Sequence, residues 1–578
     1  MTHNPTTQSP ATQIPSTAGR QVQRRTTYLF PRLFPLLLAA LAAGCQSTAG
    51  TAPSAANTPW VADLGDGRYQ NPVLHADYSD PDAIRVGDTY YMTSSSFNSV
   101  PGLPLLQSKD LVNWELVGHA LPKLVPEERY ATARHGDGVW APCLRYHDGK
   151  FWIFYPDPDV GIFVTTAERF TGPWSEPHLL LPGKGIIDPT PLWDDDGKAY
   201  LLHGWAKSRA GINNILTLRS MAPDGRRLLD GEGRTLIDGN KLPNYRTLEG
   251  PKFYKANGYY YVFAPAGGVE EGWQSVFRAR SLGGPWDVRI VLEQGKTPVN
   301  GPHQGAWVRT PENKDWFLHF QDKNAYGRVV HLQPMRWVDD WPVMGEDSGK
   351  PGTGQPVLRH AKPVAGATLK TPPASDEFDA ATLGLQWQWN ANNRPDWYSL
   401  SERPGMLRLR TVNAPEAVDY VRAAPNILGQ KLPAPTFVVN THVQLNGAHD
   451  GDRAGLILNA MQYAWLGLRQ SDGATQLVYT TCTPAKVRCT ESASVVLPSA
   501  ASSLYLRMAM AEGGIARFSY SLDNASFIPV GQPFTVSKGR WVGAQVGLFS
   551  VGGGANAGAG TGAGSSSLDV DYFRVSAQ

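Results

Sequence analysis

The stretch YSDPDAIRVGDTYYMTSS, residues 78–95, predicts the fold of the larger part of the chain. It holds a carboxylate at Asp80, a short strand, a turn at Gly87-Asp88 and a second strand with paired aromatic residues, which is the pattern of a β-hairpin. A polar turn before an aromatic strand recurs in HDGKFW (147–152), DDGKAY (195–200), ANGYY (256–260) and NKDWF (313–317). Intervals of roughly 50 to 60 residues indicate a repeat architecture. Five such hairpin units predict a five-bladed β-propeller.

Each unit places a chemically distinctive residue before its aromatic strand, and these residues share one phase of the repeat. They are Asp80, Trp140, Asp188, Glu249 and His303. The innermost strand of each propeller blade lines the central channel, so residues at the starts of these strands converge on one end of the channel. An Asp or Glu beside Pro or Gly is by itself an ordinary turn residue. Their recurrence in phase favours a shared site of carboxylates, an indole and an imidazole.

Composition and charge exclude several kinds of partner. The sequence has 53 Lys and Arg residues against 51 Asp and Glu residues, and no basic run. We therefore expect neither a nucleic-acid partner nor an anionic lipid surface. The 18 Trp and 22 Tyr residues, with many Gly and Pro, suit turn-rich β structure that stacks on sugars. The sequence predicts a neutral polar partner.

The amino-terminal 59 residues are predicted to be a signal and a tether rather than part of the fold. Arginines at 24, 25 and 32 precede an apolar run at 33–43, which is too short to span a bilayer and has the shape of a secretory signal. The run ends in LAAGC, which resembles a bacterial lipoprotein signal, although Ala42 stands where Leu is commoner. The resemblance implies a lipid anchor on Cys45 as the protein's link to a membrane, and a periplasmic or outer-membrane location. A plain secreted form is the alternative.

The other cysteines indicate structure rather than chemistry. Cys482 and Cys489 flank a Pro-containing turn, which in an exported protein predicts a disulfide that closes a small loop. Cys143 follows an apolar strand start and is expected to be a buried small hydrophobic residue. CxxC and HExxH patterns are absent from the sequence, so we expect no structural zinc site.

Short motifs follow one another through the repeats: NPVL (71–74), SDPD (79–82), VGDTYY (86–91), SKDLVNW (108–114), VWAP (139–142), IDP (187–189), LEGP (248–251) and GR (327–328). In order and spacing they resemble glycoside hydrolase family 43 over residues 66–345. The resemblance implies a five-bladed propeller with β-xylosidase, α-L-arabinofuranosidase or endo-arabinanase activity and inversion at the anomeric carbon. The repeat count agrees with that fold independently.

The resemblance also implies roles for the carboxylates. Asp80 would be the general base, Glu249 the general acid, and Asp188 the third carboxylate that raises the pKa of the acid and orients it. Inverting hydrolysis needs an acid and a base about 6.5–9.5 Å apart, which blades across a channel can supply. Periodicity does not choose between Asp80 and Asp82; the motif match chooses Asp80, and Asp77 is a spare candidate.

Three further residues are expected at the pocket. Trp140 is predicted to stack on a sugar ring, with a core role as the alternative. Arg328 matches the family arginine that binds substrate hydroxyls near the base. His303, in NGPHQGAW (300–307), matches the family histidine beside a calcium ion in the channel, with a core role as the alternative. We expect no organic cofactor.

A second domain is predicted to follow the propeller, which we place at residues 60–345. Residues 346–372 are rich in Gly, Pro and Lys and are interpreted as a linker. Residues 373–578 contain alternating apolar strands typical of a β-sandwich. The segments DEFD (376–379) and LGLQWQWN (383–390) resemble the concanavalin-like (jelly-roll) sandwich of many family 43 β-xylosidases, which packs on the propeller. The Gly-, Ala- and Ser-rich run Gly552–Ser567 is interpreted as a mobile loop.

The leading functional hypothesis is an inverting exo-glycosidase that removes terminal β-D-xylosyl residues, and also α-L-arabinofuranosyl residues, from xylan-derived oligosaccharides or arabinoxylan fragments. The alternatives are an α-L-arabinofuranosidase and a non-catalytic carbohydrate-binding propeller. A retaining fructan hydrolase is disfavoured, because SDPD lacks the Asn before Asp and the Asn-Gly after it that mark the nucleophile of those enzymes.

Overall fold

The computed structural model describes residues 58–413, 420–483, 488–497, 503–553 and 563–578. The predicted lipoprotein signal, with Cys45, lies outside the described residues. Within them, no helix has the length and apolar character needed to cross a membrane. The one α-helix described, α1, is a single turn at Lys207–Ala210, and the 3₁₀ turns are Glu127–Tyr130, Gly239–Lys241, Asn324–Tyr326, Pro395–Trp397 and Val421–Ala423. The described chain is therefore almost entirely β structure.

The predicted hairpin at residues 78–95 is confirmed, and its sequence explains its geometry. After a short strand β1 (Arg68–Gln70), strands β2 (Asp82–Val86) and β3 (Thr89–Thr93) pair antiparallel with Val86 opposite Thr89. The turn between them holds only Gly87 and Asp88, and Gly87 adopts the left-handed conformation with φ 63°. Glycine reaches this region without steric cost, so the tight turn closes where the sequence indicates.

Five sheets of this kind confirm the predicted five-bladed propeller. Blade 1 adds β4 (Gly102–Ser108) and β5 (Trp114–Leu121) to β2 and β3. Blade 2 contains β6 to β9, at Cys143–His147, Lys150–Asp157, Gly161–Ala167 and His178–Pro182. Blade 3 contains β10 to β13, at Ile186–Trp193, Ala199–Trp205, Ile215–Met221 and Arg234–Asp238. Blade 4 contains β14 to β17, at Lys252–Ala256, Tyr259–Ala266, Trp273–Ala279 and Asp287–Leu292. Blade 5 contains β18 to β21, at His303–Arg309, Asp315–Asp322, Arg328–Val338 and Trp341–Met344.

The segment predicted to be a linker, residues 346–372, contains three short strands, β22 (Glu346–Lys350), β23 (Thr353–Gln355) and β24 (Arg359–Ala361). Strand β23 pairs with β17 and so extends blade 4, whereas β24 pairs antiparallel with β1. The composition of this segment favours an irregular connection, but the free edges of β17 and β1 offer backbone partners that composition does not reveal.

The carboxy-terminal domain is the predicted β-sandwich. Its strands β25 to β38 are Gln388–Trp389, Tyr398–Ser399, Leu407–Val412, Leu428–Lys431, Phe437–Asn446, Arg453–Asn459, Tyr463–Ser471, Ala474–Thr483, Arg488–Val496, Ser503–Ala511, Ile515–Ser521, Ile528–Thr535, Gln545–Val551 and Ala563–Ser576. In β29 and β34 every second side chain is buried, as expected for strands with one face on a core. The predicted disulfide is confirmed, because Cys482 on β32 is bonded to Cys489 on β33.

One predicted loop is shorter than its composition suggests. Of the run Gly552–Ser567, residues 554–562 lie outside the described residues, but 563–567 form the beginning of β38. Ala563 and Ser567 pair with β27, and Ser567 also pairs with Asn446 on β29. The interpretation of 563–567 as loop was wrong because backbone pairing with two neighbouring strands outweighs the low β-propensity of Gly and Ser.

The sandwich packs directly on the propeller. Val100 N donates to Trp389 O at 3.0 Å, and the Asn392 side chain donates to Leu124 O at 2.9 Å. A single apolar core cluster joins buried propeller residues such as Val100 to the inner faces of the sandwich strands. Cys143 is fully buried in a separate core between blades 2 and 3, as predicted.

Candidate active site

The residues predicted to share one phase meet at a single cavity of about 380 Å³. Its lining includes all of the predicted site residues: Asp80, Trp140, Asp188, Glu249, His303 and Arg328. Each in-phase residue lies near the start of an innermost strand: His303 begins β18, Asp188 is the third residue of β10, and the other three residues lie just before β2, β6 and β14. A cavity of this size is in the range of small-molecule sites.

Backbone conformations at these strand starts are unusual. Asp80 and Asp188 have φ of 54° and 55°, and the register of β10 shifts after Ile187. Positive φ is uncommon for residues other than glycine, and bulges re-aim side chains next to active sites. The local backbone thus directs both carboxylates toward the channel mouth rather than into the ladder of the sheet.

Asp80 is held by two donors. Ser95 Oγ donates to its Oδ2 at 2.5 Å, and Arg328 Nη1 donates to Oδ1 at 3.1 Å and to Oδ2 at 3.2 Å. Arg328 is buried, and its guanidinium also lies 4.9 Å from the centre of the Phe320 ring. Charge-assisted hydrogen bonds of this kind fix the carboxylate in orientation and position.

Asp188 and Glu249 form an interacting pair of acids. Burial raises the pKa of Asp188, and the negative charge of Glu249 raises it further, while a hydrogen bond from Gly250 N to Oδ2 at 2.8 Å opposes the rise. The Glu249 side chain is 23% exposed, and its Oε1 lies 3.1 Å from His303 Nε2. Like charges close together favour one shared proton on such a pair.

The two other acids that the sequence left open lie outside the cavity. Asp82 is fully buried, and its Oδ2 accepts hydrogen bonds from Leu144 N at 2.8 Å and from Arg145 Nη1 at 2.9 Å. Asp77 accepts hydrogen bonds from two backbone amides at its carboxylate oxygens. Neither side chain lines the cavity, so the structure places Asp80 alone of these three acids at its wall.

Trp140 lies at the cavity wall rather than in a core. Its indole N–H donates to Gly136 O at 3.0 Å, and the Arg209 guanidinium lies 5.3 Å from its ring centre. Arg209 belongs to α1 and is held by Asp137 at 3.0 Å. The ring is thereby fixed in orientation, which is what a stacking surface for a sugar requires.

The surroundings of His303 do not fit a calcium ion. Calcium takes six to eight oxygen ligands, but His303 Nε2 contacts Glu249, and its buried Nδ1 has no partner among the described residues. The described chain contains no group of three His, Cys, Asp or Glu residues placed to hold a metal. We therefore derive no catalytic step through a metal.

Sequence reasoning missed a pocket residue that comes from the sandwich. Trp541 lines the same cavity, is 43% exposed, and makes an edge contact with Trp140 at a centroid distance of 6.0 Å. It is far from the propeller in sequence and has no place in the repeat. Its φ of 68° is rare for a bulky residue, but this signal becomes visible only in the structure.

The fold and the site together define the class of protein. Three carboxyl groups, a buried arginine and three tryptophan residues line one cavity at the mouth of a five-bladed propeller. Paired carboxylic acids are the chemical requirement for cleavage of glycosidic bonds, and aromatic rings are the usual sugar-binding surface. The protein is a glycoside hydrolase.

Comparison with known proteins identifies the family. The chain belongs to glycosyl hydrolases family 43, whose sequence model matches residues 69–342, and the β-xylosidase C-terminal concanavalin A-like domain matches residues 375–576. A putative β-xylosidase of Xylanibacter ruminicola is 38% identical over 85% of this chain and 88% of that protein. A non-reducing end α-L-arabinofuranosidase of Bacteroides ovatus is 30% identical over 69% of this chain and 76% of that protein. The crystal structure of a xylan β-1,4-xylosidase from Bacillus halodurans superposes with a TM-score of 0.76 at 25% identity, covering 88% of this chain and 99% of that one.

Proposed function

We propose that the protein is an inverting exo-β-xylosidase that removes terminal β-D-xylosyl residues from xylan-derived oligosaccharides. The observation that carries the proposal is the convergence of Asp80, Asp188 and Glu249 on one cavity whose wall includes Trp140 and Trp541. The names of the similar proteins described above support xylose as the sugar.

In this proposal Asp80 is the general base. Its carboxylate takes a proton from a water molecule as the water oxygen attacks the anomeric carbon, and the bond from that carbon to the leaving oxygen breaks. Glu249 donates its proton to the leaving oxygen, so that sugar and alcohol both leave neutral. Arg328, which holds Asp80 at 3.1 Å, orients the base and is placed to bind a substrate hydroxyl.

Asp188 is the proposed modulator of the acid. Because burial and the charge of Glu249 raise the pKa of Asp188, the pair retains a proton at a pH where an isolated carboxyl group would have lost it. His303 contacts Glu249 Oε1 at 3.1 Å and limits the orientations of the acid. We propose that the proton shared by this pair is the one that Glu249 delivers to the leaving oxygen.

The proposed exo mode follows from the walls of the cavity. Trp541, from the sandwich, and Trp140, from blade 2, meet at 6.0 Å at its rim. The first residues of α1, Lys207 and Ser208, line the cavity beside these rings. In this proposal the three elements bound a pocket, which accepts the end of a chain, rather than an open groove. Xylo-oligosaccharides and arabinoxylan fragments are the proposed substrates.

A second candidate is α-L-arabinofuranosidase activity at the same site. The Bacteroides ovatus relative that carries this name is 30% identical to the chain. Xylopyranose and arabinofuranose present hydroxyl groups in similar directions, so the same carboxylates can serve both sugars.

A panel of aryl glycosides tests these proposals. Turnover of aryl β-D-xyloside above aryl α-L-arabinofuranoside is the expected result, and the reverse ranking would favour the second candidate. Proton NMR of the first-formed sugar before mutarotation should show inverted anomeric configuration, whereas retention would refute the base role of Asp80. Binding of xylo-oligosaccharides without any turnover would instead support a non-catalytic carbohydrate-binding propeller.

We also propose that the enzyme is exported as a lipoprotein, on the basis of the LAAGC segment that ends at Cys45. Cys45→Ser should release the enzyme from the membrane fraction while its kcat/KM stays unchanged, because the substitution removes the site of lipid attachment and leaves the residues that line the described cavity as they are. Mass spectrometry of the wild-type protein should show a lipidated amino terminus at Cys45. A soluble, unlipidated wild-type protein from a bacterial host would contradict the proposal.

A further inference from the structure

Asp77 is a buried carboxylate that has no task in the proposed mechanism. It is 6% exposed and lies three residues before Asp80, outside the cavity that holds the three acids. Burial of a charged group costs free energy unless its oxygens accept good hydrogen bonds. The partners of Asp77 therefore indicate its role.

Each carboxylate oxygen of Asp77 accepts a backbone N–H from a distant part of the chain. Oδ1 accepts from Arg328 N at 2.8 Å, at the first residue of β20. Oδ2 accepts from Gly543 N at 2.8 Å, in the sandwich domain. These partners are 251 and 466 positions away in sequence. One side chain thus joins blade 1, blade 5 and the sandwich at a single point.

The backbones around this junction are packed too closely to rearrange freely. A Cβ atom at Gly327, where φ is 73°, would lie 2.4 Å from Asp77 Cγ. A Cβ atom at Gly543 would lie 2.7 Å from Gly327 N. Both positions require glycine, which lets the propeller and sandwich backbones meet beside the Asp77 carboxylate.

The electrostatic surroundings of Asp77 are balanced by a cation from the sandwich. Burial raises the pKa of Asp77, while the charge of Lys431 and the two amide hydrogen bonds oppose this rise. Lys431 belongs to β28, and its ammonium group lies 5.2 Å from the centre of the Tyr78 ring. The sandwich therefore supplies both a hydrogen-bond donor and a counter-charge to this propeller carboxylate.

Two pocket residues lie next to the junction. The side chain of Arg328 binds both oxygens of Asp80, and its backbone amide is one of the two partners of Asp77. Gly543 lies near the end of the loop that carries Trp541. A hydrogen bond from Gly539 N to Val542 O at 2.8 Å closes the turn within this loop. A displacement at either amide therefore moves a group that touches the pocket.

We propose that Asp77 is a positioning residue that holds Arg328 and the Trp541 loop, residues 538–544, in register across the two domains. Its carboxylate sets the distance between the base side of the pocket and the wall that the sandwich contributes. The inference rests on the proposed function only for its kinetic readout, because the junction itself is a structural feature.

The first test is hydrogen exchange of the purified full-length protein, followed by mass spectrometry. Asp77→Asn keeps the shape of the side chain but presents an NH₂ group to one of the two amides, so one hydrogen bond is lost. Peptides that cover 326–330 and 538–544 should exchange about tenfold faster or more, as expected for loss of a charged hydrogen bond. Asp569→Asn is the matched control, because this fully buried carboxylate is bound by Arg403, Arg408 and Asn446, all in the sandwich. The control should leave both peptides unchanged.

A second variant keeps the proposal testable if Asp77→Asn does not fold. Gly543→Ala leaves Asp77 in place but pushes the loop away from Gly327, so the 538–544 peptide should again exchange faster. Unchanged exchange of that peptide in Gly543→Ala, or of both peptides in a folded Asp77→Asn protein, would overturn the proposal.

The kinetic test is a double-mutant cycle with Trp541→Ala on an aryl β-D-xyloside. In the wild-type background, Asp77→Asn should lower kcat/KM about tenfold, mainly through a higher KM. In the Trp541→Ala background, the same substitution should lower kcat/KM by less than about threefold. Equal losses in the two backgrounds would refute action through the loop, as would a lowered melting temperature with unchanged kinetics. If the wild-type protein turns over no aryl glycoside, the proposed function fails while the exchange result still decides the role of Asp77.

Discussion

At the scale of single residues, the carboxyl groups of the pocket occupy two different environments. Asp80 accepts hydrogen bonds from a guanidinium and a hydroxyl, whereas Asp188 is buried beside a second acid, Glu249. Different partners of this kind suit carboxyl groups to the different roles proposed for them. The two environments lead to three predictions.

The acid and the base should respond differently to the leaving group. Glu249→Ala should slow hydrolysis of poor leaving groups about 10²–10⁴-fold and activated aryl glycosides much less, because a good leaving group needs no proton. Asp80→Ala should slow both kinds of substrate by a similar factor, since the attacking water has lost its base. Added azide should rescue Asp80→Ala, with formation of a glycosyl azide of inverted configuration, and should not supply the proton lost with Glu249. Equal sensitivity of both variants to the leaving group would contradict these roles.

The pH dependence of kcat/KM should show at which pH the pair formed by Asp188 and Glu249 loses its last proton. Burial and the Glu249 charge raise the pKa of Asp188, so the pair loses its last proton at a higher pH than an isolated carboxyl group would. Asp188→Asn removes one of the two charges, and the basic limb of the kcat/KM profile should move to lower pH. A basic limb that stays in place would show that the pair does not control the acid.

The same group should also affect stability. A pKa that is raised in the folded state means that the folded protein binds more protons than the unfolded chain, so the stability that Asp188 contributes is present at low pH and falls as pH rises. The melting temperature of Asp188→Asn should therefore rise relative to wild type between about pH 4 and pH 7, because the pKa of Asp188 is raised from 3.8 to about 7 in the folded protein. A difference in melting temperature that is constant across this range would contradict the raised pKa.

At the scale of elements, short irregular segments complete a pocket that the blades only outline. The innermost strands place the acids, but the rim is formed by α1, which holds Arg209 over Trp140, and by the loop that carries Trp541. That loop is fixed at its beginning by Lys538, which donates to Glu270 at 2.7 Å, and at its end by Asp77. Irregular segments held by a rigid scaffold are the usual carriers of specificity.

Trp541→Ala should therefore alter recognition more than chemistry. Loss of one aromatic wall is expected to raise KM for xylo-oligosaccharides about tenfold, with a smaller change in kcat, because the acids stay in place. Steady-state kinetics on xylobiose and on an aryl xyloside measure both constants. Lys198→Ala is a useful control, since it removes an exposed ion pair with Asp196 that lies outside the cavity, and it should change KM little. An unchanged KM in Trp541→Ala would exclude the ring from substrate binding.

At the scale of the whole molecule, the two domains form one structural unit. Trp389 and Trp397 of the sandwich are buried in the same core cluster as Val100 and Leu124 of the propeller. The sandwich also donates to a propeller carboxylate through Gly543. Separation of the domains would expose this cluster to water, which is strongly unfavourable.

A propeller that ends at residue 372 should for this reason be unstable. We expect the truncated protein to aggregate or to melt at a much lower temperature than the full chain, and to lose activity, because both the shared core and the Trp541 wall are gone. Differential scanning calorimetry of the two proteins makes the comparison, and a single cooperative transition is expected for the full chain. A truncated propeller with wild-type melting temperature and activity would refute this dependence.

The sequence alone determined those features that repeat or that follow local rules. Hairpin turns such as Gly87-Asp88 and Asn257-Gly258 are local, so their period predicted the five blades, and the phase of Asp80, Asp188 and Glu249 placed the acids together. Features that join distant segments were decided only by the tertiary structure. The hydrogen bond from Gly543 to Asp77 spans 466 positions, Trp541 enters from a different domain, and β23 pairs with β17 of blade 4. Contacts of this kind depend on how separate elements pack, and side-chain periodicity within one element contains no information about its distant neighbours.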